Sequence, residues 1–321
     1  MARRCAQARA KRLLIAGALI AGAIAAGVPC AAAQPPQAVA ASWQGSRALR
    51  DIAQQLSFGV RALDAPGHLK TIAYIESQLR AAGLQPVRQE FDSAVGEQPH
   101  RLVNLIARLY PDNPRRILLG THYDSIVRAY RDKDHPDAPM PGANNSASGV
   151  ALLLETARVL KTAPAPPIGV DFVFFDGEEG PLSLGAGDRN WQPLGSPYFA
   201  AHMASFYPVA LPDKAAIFDM VCWREQKLRP EQASLIYAGD EVDKFWALGR
   251  AFAPRFFAEQ PTAAPIYDDQ IALDQAKIPA FLVIGFEYEP WFNTTGDTLD
   301  KCSEEAMNAV GRTLIRYIYA P

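Results

Sequence analysis

Apolar residues in this chain fall into two alternating patterns, short continuous runs and stretches at helical spacing. Leu69, Ile72, Ile75 and Leu79 recur at three and four residues, which predicts a helix from Ala65 to Ala82 with Gly83 as its C-terminal cap. Val103–Leu109 and Ile117–Gly120 read as strands joined by a turn at Pro111–Pro114. A helix from about Ser146 to Lys161 follows, with Val150, Leu153, Leu154, Ala157 and Leu160 on one face. The run Phe172-Val173-Phe174-Phe175 predicts a strand buried on both faces, the signature of the centre of a parallel or mixed sheet. After a Gly-rich loop from Gly180 to Pro193, a helix is expected to end near Ser205. Ala215–Val221, Ser234–Ala238 and Ala280–Phe286 read as further strands. Ser303 opens a closing helix, with Glu304 and Glu305 in its favourable first turn. Strands alternating with helices predict a three-layer α/β/α sandwich around a mixed, mostly parallel sheet.

The ends of the chain break this pattern. Arg3, Arg4, Arg9, Lys11 and Arg12 precede an apolar stretch from Leu13 to Val28, and Ala31-Ala32-Ala33 fits a small-residue cleavage site. Residues 1–33 are therefore expected to be a signal peptide, residues 34–57 an N-terminal arm that is loose over 34–45, and residues 58–321 one α/β domain. The expected location is the periplasm or outside the cell, with no stable membrane insertion after cleavage, because the apolar stretch is short for a spanning helix. Losing five basic residues takes the formal charge from −2 to about −7. An acidic protein without a basic stripe is not expected to bind nucleic acid. Cys222 and Cys302 remain after cleavage. In an exported protein they could pair, and two free thiols are equally open.

Candidate chemistry sits where predicted strands end. The central strand stops in Asp176-Gly177-Glu178-Glu179, and another runs into His122 and Asp124. A third holds Asp219, and Tyr267-Asp268-Asp269-Gln270 precedes a fourth. A lone His or Asp at a strand end is usually a satisfied polar residue or a turn former. Four such ends carrying acids and a histidine are different, because an open α/β sheet gathers its strand ends into one crevice. Adjacent acids there need a cation, a shared proton or a proton-transfer role to offset their repulsion. Trp191, Trp291 and Phe292 are candidates for lining a substrate pocket.

The segments "FGVRALDAPGH", "LLGTHYDS", "PGANNSASGVALLLE", "FVFFDGEEG", "LGSPYFA", "IFDMV", "YDDQIAL", "IPAFLVI" and "WFNTTGDTLDK" resemble, in order, the zinc-dependent aminopeptidase and glutaminyl cyclase family of the metallopeptidase fold. The resemblance covers residues 58–319 and leans to the cyclase branch. It implies a zinc-exopeptidase-like fold and action on peptide N-termini, by cyclisation of an amino-terminal glutamine or by aminopeptidase hydrolysis. Glu178 would be the general acid/base. Asp219 and Asp269 would belong to the catalytic proton network. Metal positions would be His122, Asn145, Glu179, Asp219 and Asn293, with Asp124 orienting His122.

The chain departs from the family pattern at the metal. Asn145 stands where the family has an Asp, Asn293 where it has a His, and Gln270 where a His is common. A neutral amide oxygen is a weak zinc ligand. One weakly held zinc ion or none is therefore expected. The alternative to an enzyme is a catalytically impaired homologue that binds peptides or a partner in the same cleft.

Overall fold

The architecture was analysed in a computed structural model that describes residues 36–93, 99–180 and 191–320. The expected signal peptide at 1–33 lies outside the described residues, as does most of the loop before Trp191. These described residues form one compact unit.

The elements in order are α1 (Pro36–Ala41), α2 (Gly45–Leu56), α3 (Pro66–Ala81), β1 (Val87–Ser93), β2 (His100–Leu109), β3 (Arg116–His122), α4 (Ala147–Thr162), β4 (Gly169–Phe175), α5 (Gly195–His202), β5 (Lys214–Asp219), α6 (Gln232–Phe252), α7 (Gln270–Gln275), β6 (Ala280–Ile284) and α8 (Glu304–Tyr319). The described strands form one sheet in the order β1-β2-β4-β3-β5-β6. β1 with β2 and β2 with β4 are antiparallel, while the β3–β4, β3–β5 and β5–β6 pairs are parallel. The mixed, mostly parallel three-layer sandwich is thus observed.

Every residue of β3, β4 and β6 is buried, so both faces of the sheet are covered. The pleat sends alternate side chains of β4 to opposite layers. Phe172 and Phe174 join a core with Leu153, Leu160, Phe245 and Ile315 of the helices on one face. Val173 and Phe175 join Phe199, Met203 and Leu273 on the other. Phe174 is fully buried, and truncating such a ring leaves both lost contacts and a cavity. Phe174→Ala is expected to lower the unfolding free energy by about 3–5 kcal/mol, read by urea titration, with the denaturant slope unchanged.

Two sequence expectations are corrected. The stretch expected to be loose over 34–45 is packed where it is described: Val39, Ala40 and Trp43 are buried, and α2 goes on to bury Ala48 and Ile52. Trp43 donates its indole N–H to Thr156 Oγ1 of α4 at 3.1 Å and lies over Gly311 of α8. A Pro/Gln/Ala-rich composition hides this, because the few apolar residues share a face only once the chain is helical. Ser234–Ala238 is not a strand but the start of α6. The Glu231 carboxylate caps it, accepting the Ala233 and Ser234 N–H groups at 2.8 and 2.7 Å. Short apolar runs do not separate strand from helix by periodicity. β1 was not foreseen, since its residues are mostly polar.

Glu241 of α6 ties three elements together, accepting hydrogen bonds from Lys214 at 2.7 Å, Lys244 at 3.0 Å and the Tyr317 hydroxyl of α8. Burial opposes its charge, but these donors more than offset that and lower its pKa from 4.5 to about 2. A depressed carboxyl stabilises the fold above its unfolded value and ceases to do so as pH falls through the folded one. The stability difference between wild type and Glu241→Gln is therefore expected to be full at pH 6 and to shrink between about 4.5 and 2, read by urea titration. A difference independent of pH would contradict this role.

Candidate active site

β3 is the switch point of the sheet: α4 connects it to β4 across one face, and α5 leads from β4 to β5 across the other. The carboxyl ends of β3, β4 and β5 therefore open into one crevice, where ligands of such sheets bind. Gly177 turns the chain out of β4 at φ +70°, and a Cβ there would meet Leu102 Cδ2 at 2.5 Å. The turn separates the three acids that follow β4. Asp176 points back into the fold, 2.7 Å from His68 Nε2, and accepts the Val103 N–H at 2.7 Å. It anchors the loop. Glu178 and Glu179 face the crevice.

Asp124 organises this loop. One of its oxygens accepts the Glu178 N–H at 3.1 Å and the other the Glu179 N–H at 3.0 Å. It also lies 3.4 Å from His122 Nδ1. Glu178 Oε2 lies 3.8 Å from the same Nδ1, and on the opposite edge of the ring His122 Nε2 is 3.2 Å from Asp219 Oδ1. Burial alone would discharge this histidine. The charge of Glu178 and the hydrogen bonds to Asp124 and Asp219 override it and hold His122 well above its ordinary pKa. The imidazolium favoured in this way offsets part of the acid charge.

The positions of Asn145 and Asn293 meet at Glu179. Asn145 Nδ2 donates to Glu179 Oε1 at 2.6 Å and to Asn293 Oδ1 at 3.3 Å. Asn145 Oδ1 is buried without a partner. Asn293 Nδ2 donates to the Tyr130 hydroxyl at 3.4 Å. Asp297 holds this corner from behind, accepting the Asn144 and Asn145 N–H groups at 2.8 and 3.1 Å. Asn144-Asn145-Ser146 and Asn293-Thr294-Thr295 match the N-glycosylation pattern, but their acceptor residues Asn144 and Asn293 are both buried.

The acids of the YDDQ segment divide. Asp268 lines the crevice, whereas Asp269 is fully buried and accepts the Ser196 hydroxyl at 2.5 Å. Burial pushes Glu178 and Asp268 well above the usual carboxylate range, and pushes Glu179 and Asp269 up to about 7. The cleft walls include Glu178, Glu179, Asn145, Asp219, Asp268 and Asn293. Trp191 and Phe292 also line it. Trp291 does not: it packs under Lys301, 4.4 Å from its ring centre, and against Gly296. Its assignment to the pocket is corrected, because neighbouring residues of a tight turn point in different directions.

Sequence reading missed Tyr130, Asp268 as the cleft-facing acid, and Asp297. Only a local signal for Asp297 existed, in the Gly296-Asp297-Thr298 turn. Cys222 and Cys302 are disulfide-bonded, closing the segment after Asp219 onto the start of α8. Among the described residues no group of three or more His, Cys, Asp or Glu side chains is arranged to hold a metal ion, and no helix is long and apolar enough to cross a membrane.

A doubly wound sandwich with an acid-lined cleft at its switch point is the architecture of zinc exopeptidases and glutaminyl cyclases. The chain belongs to Peptidase family M28, whose model matches residues 104–318. It is similar to the crystal structure of Tannerella forsythia glutaminyl cyclase, with 28% identity and a TM-score of 0.80 over 87% of this chain and 99% of that one. It is similar also to a Zn-dependent exopeptidase from Parabacteroides distasonis, with 26% identity and a TM-score of 0.81 over 87% and 99%. The Bos taurus glutaminyl-peptide cyclotransferase-like protein is 32% identical over 153 residues, 45% of this chain and 37% of that protein. The chain thus spans little more than a third of that curated relative.

Proposed function

We propose that this chain is an exported M28 protein whose cleft receives the amino terminus of a peptide, with Glu178 moving a proton there. The observation that carries the reading is the acceptor character of the cleft. Glu178, Glu179, Asp219 and Asp268 line it beside Asn145, whose Oδ1 has no partner. An ammonium group brings three N–H donors and a positive charge, which satisfies such a surface and offsets the repulsion within it. The disulfide supports export, since such bonds persist in oxidising compartments.

Cyclisation of amino-terminal glutamine suits this site better than hydrolysis. The substrate's own amine attacks its side-chain amide carbon, so no activated water is needed. The bound ammonium first gives one proton to a neighbouring cleft carboxylate. The free amine then attacks, and Glu178 takes a second proton from the attacking nitrogen and gives it to the side-chain amide nitrogen, whose bond to carbon breaks to release ammonia. The relatives named above include both cyclases and an exopeptidase.

The family implies zinc, and the donors of this chain do not fit a tight zinc centre. Of the three positions Asn145, Glu179 and Asn293, two are neutral amides. Asn145 turns its N–H rather than a lone pair toward Glu179. The same hydrogen-bonded chain of Asn145, Glu179 and Asn293 favours a second reading, binding of peptide amino termini without turnover.

Calorimetry and product mass spectrometry with glutamine-initiated, leucine-initiated and N-acetylated peptides test these readings. Free amino termini are expected to bind and acetylated ones not. Equal binding of acetylated peptides would overturn amino-terminal recognition. Ammonia release from the glutamine-initiated peptide favours the enzyme, and binding without product favours the second reading.

A further inference from the structure

The cleft between the acids has a volume of about 30 Å³, room for little more than a water-sized group. It can hold an ammonium but not the side chains of the second and third residues. Beside it lies a cavity of about 910 Å³ that shares Trp191, Ile266, Tyr267, Asp268, Ile284 and Phe286 with the cleft. A peptide whose amino terminus enters the cleft has this cavity as the adjoining space.

Its walls are mostly apolar. Pro193, Pro197, Ala264, Pro265 and Ile271 join the shared aromatics. Prolines limit backbone motion, so little ordering is needed on binding. The charged groups at its edge are already engaged: Arg229 Nε donates to Glu287 at 2.6 Å, and the Lys227 ammonium donates to the Arg255 carbonyl. Tyr267 and Phe286 are 69% and 42% exposed, an unusual outlay of aromatic surface for side chains without a ligand.

The geometry points to this cavity as a binding site for the apolar, preferably aromatic, side chains of the second and third residues of the peptide. This rests on the amino-terminal reading above. Burying an aromatic ring there predicts that Gln-Phe-Leu-amide binds at least about tenfold more tightly than Gln-Gly-Gly-amide. Gln-Lys-Glu-amide should gain nothing over glycine.

Calorimetry on the full mature chain tests it, with Ala264→Trp and Gln275→Trp filling the cavity from two exposed positions on its walls. The affinity ratio of the Phe-Leu to the Gly-Gly peptide is expected to fall toward one in both variants. A ratio near one in the wild type overturns the proposal, as does a ratio that neither variant reduces. N-acetylated Gln-Phe-Leu-amide separates the two readings. Should it bind as tightly as the free peptide, with its preference still lost in the filled variants, amino-terminal recognition fails and the apolar site stands.

Discussion

Glu178→Gln is expected to abolish turnover of glutamine-initiated peptides, lowering kcat by about a hundredfold to ten-thousandfold, while peptide affinity changes by only a few fold. The substitution keeps the side-chain volume and the backbone N–H that Asp124 accepts at 3.1 Å. It removes only the group that takes and returns the proton. The fold should tolerate it, since an amide of the same shape removes one of the charges that repel each other across the cleft. Steady-state kinetics with thermal melts above pH 7 read both effects. An unchanged kcat would remove Glu178 from the mechanism. A lower melting temperature would show that its charge is needed for folding.

Asn145→Asp combined with Asn293→His is expected to create a zinc site where the wild type has none of high affinity. The pair would give Glu179 a carboxylate and an imidazole as companions, a donor set that zinc holds tightly. Elemental analysis after dialysis against zinc should find about one zinc per chain in the double variant and well below that in the wild type. Zinc in about thousandfold excess over its dissociation constant would stabilise the variant by about 4 kcal/mol, seen as a rise in melting temperature that a chelator reverses. Without zinc the variant should be less stable than the wild type, because the introduced carboxylate would add a charge beside Glu179 where the Asn145 N–H now donates. Stoichiometric, chelator-sensitive zinc in the wild type would overturn the reading that these amides dismantle the centre.

Much of the scaffold was legible along the chain because burial on both faces leaves an unambiguous pattern. β4 is a continuous apolar run, and α3, α4 and α8 keep helical spacing with recognisable caps, among them Ser303 before α8. Where the pattern is weak the reading failed. β1 sits at the sheet edge with four of its seven residues exposed, and α1 carries only two buried positions. α6 begins on a cap supplied by Glu231, a residue type that starts few helices in this way.

The site divides along the same line. The residue types that can do the chemistry, and the exchange of Asp and His for Asn145 and Asn293, are properties of the sequence alone, since they need only identity and order. Direction was decided by the tertiary structure. It turned Asp176 inward to His68 and Glu178 outward, sent Asp268 rather than Asp269 into the cleft, and withdrew Trp291 to its own turn. It also joined Cys222 to Cys302 and set an apolar cavity beside the acids. Adjacent residues carry no record of which way each will point. That depends on backbone turns and on partners far away in sequence, and these exist only once the chain has packed.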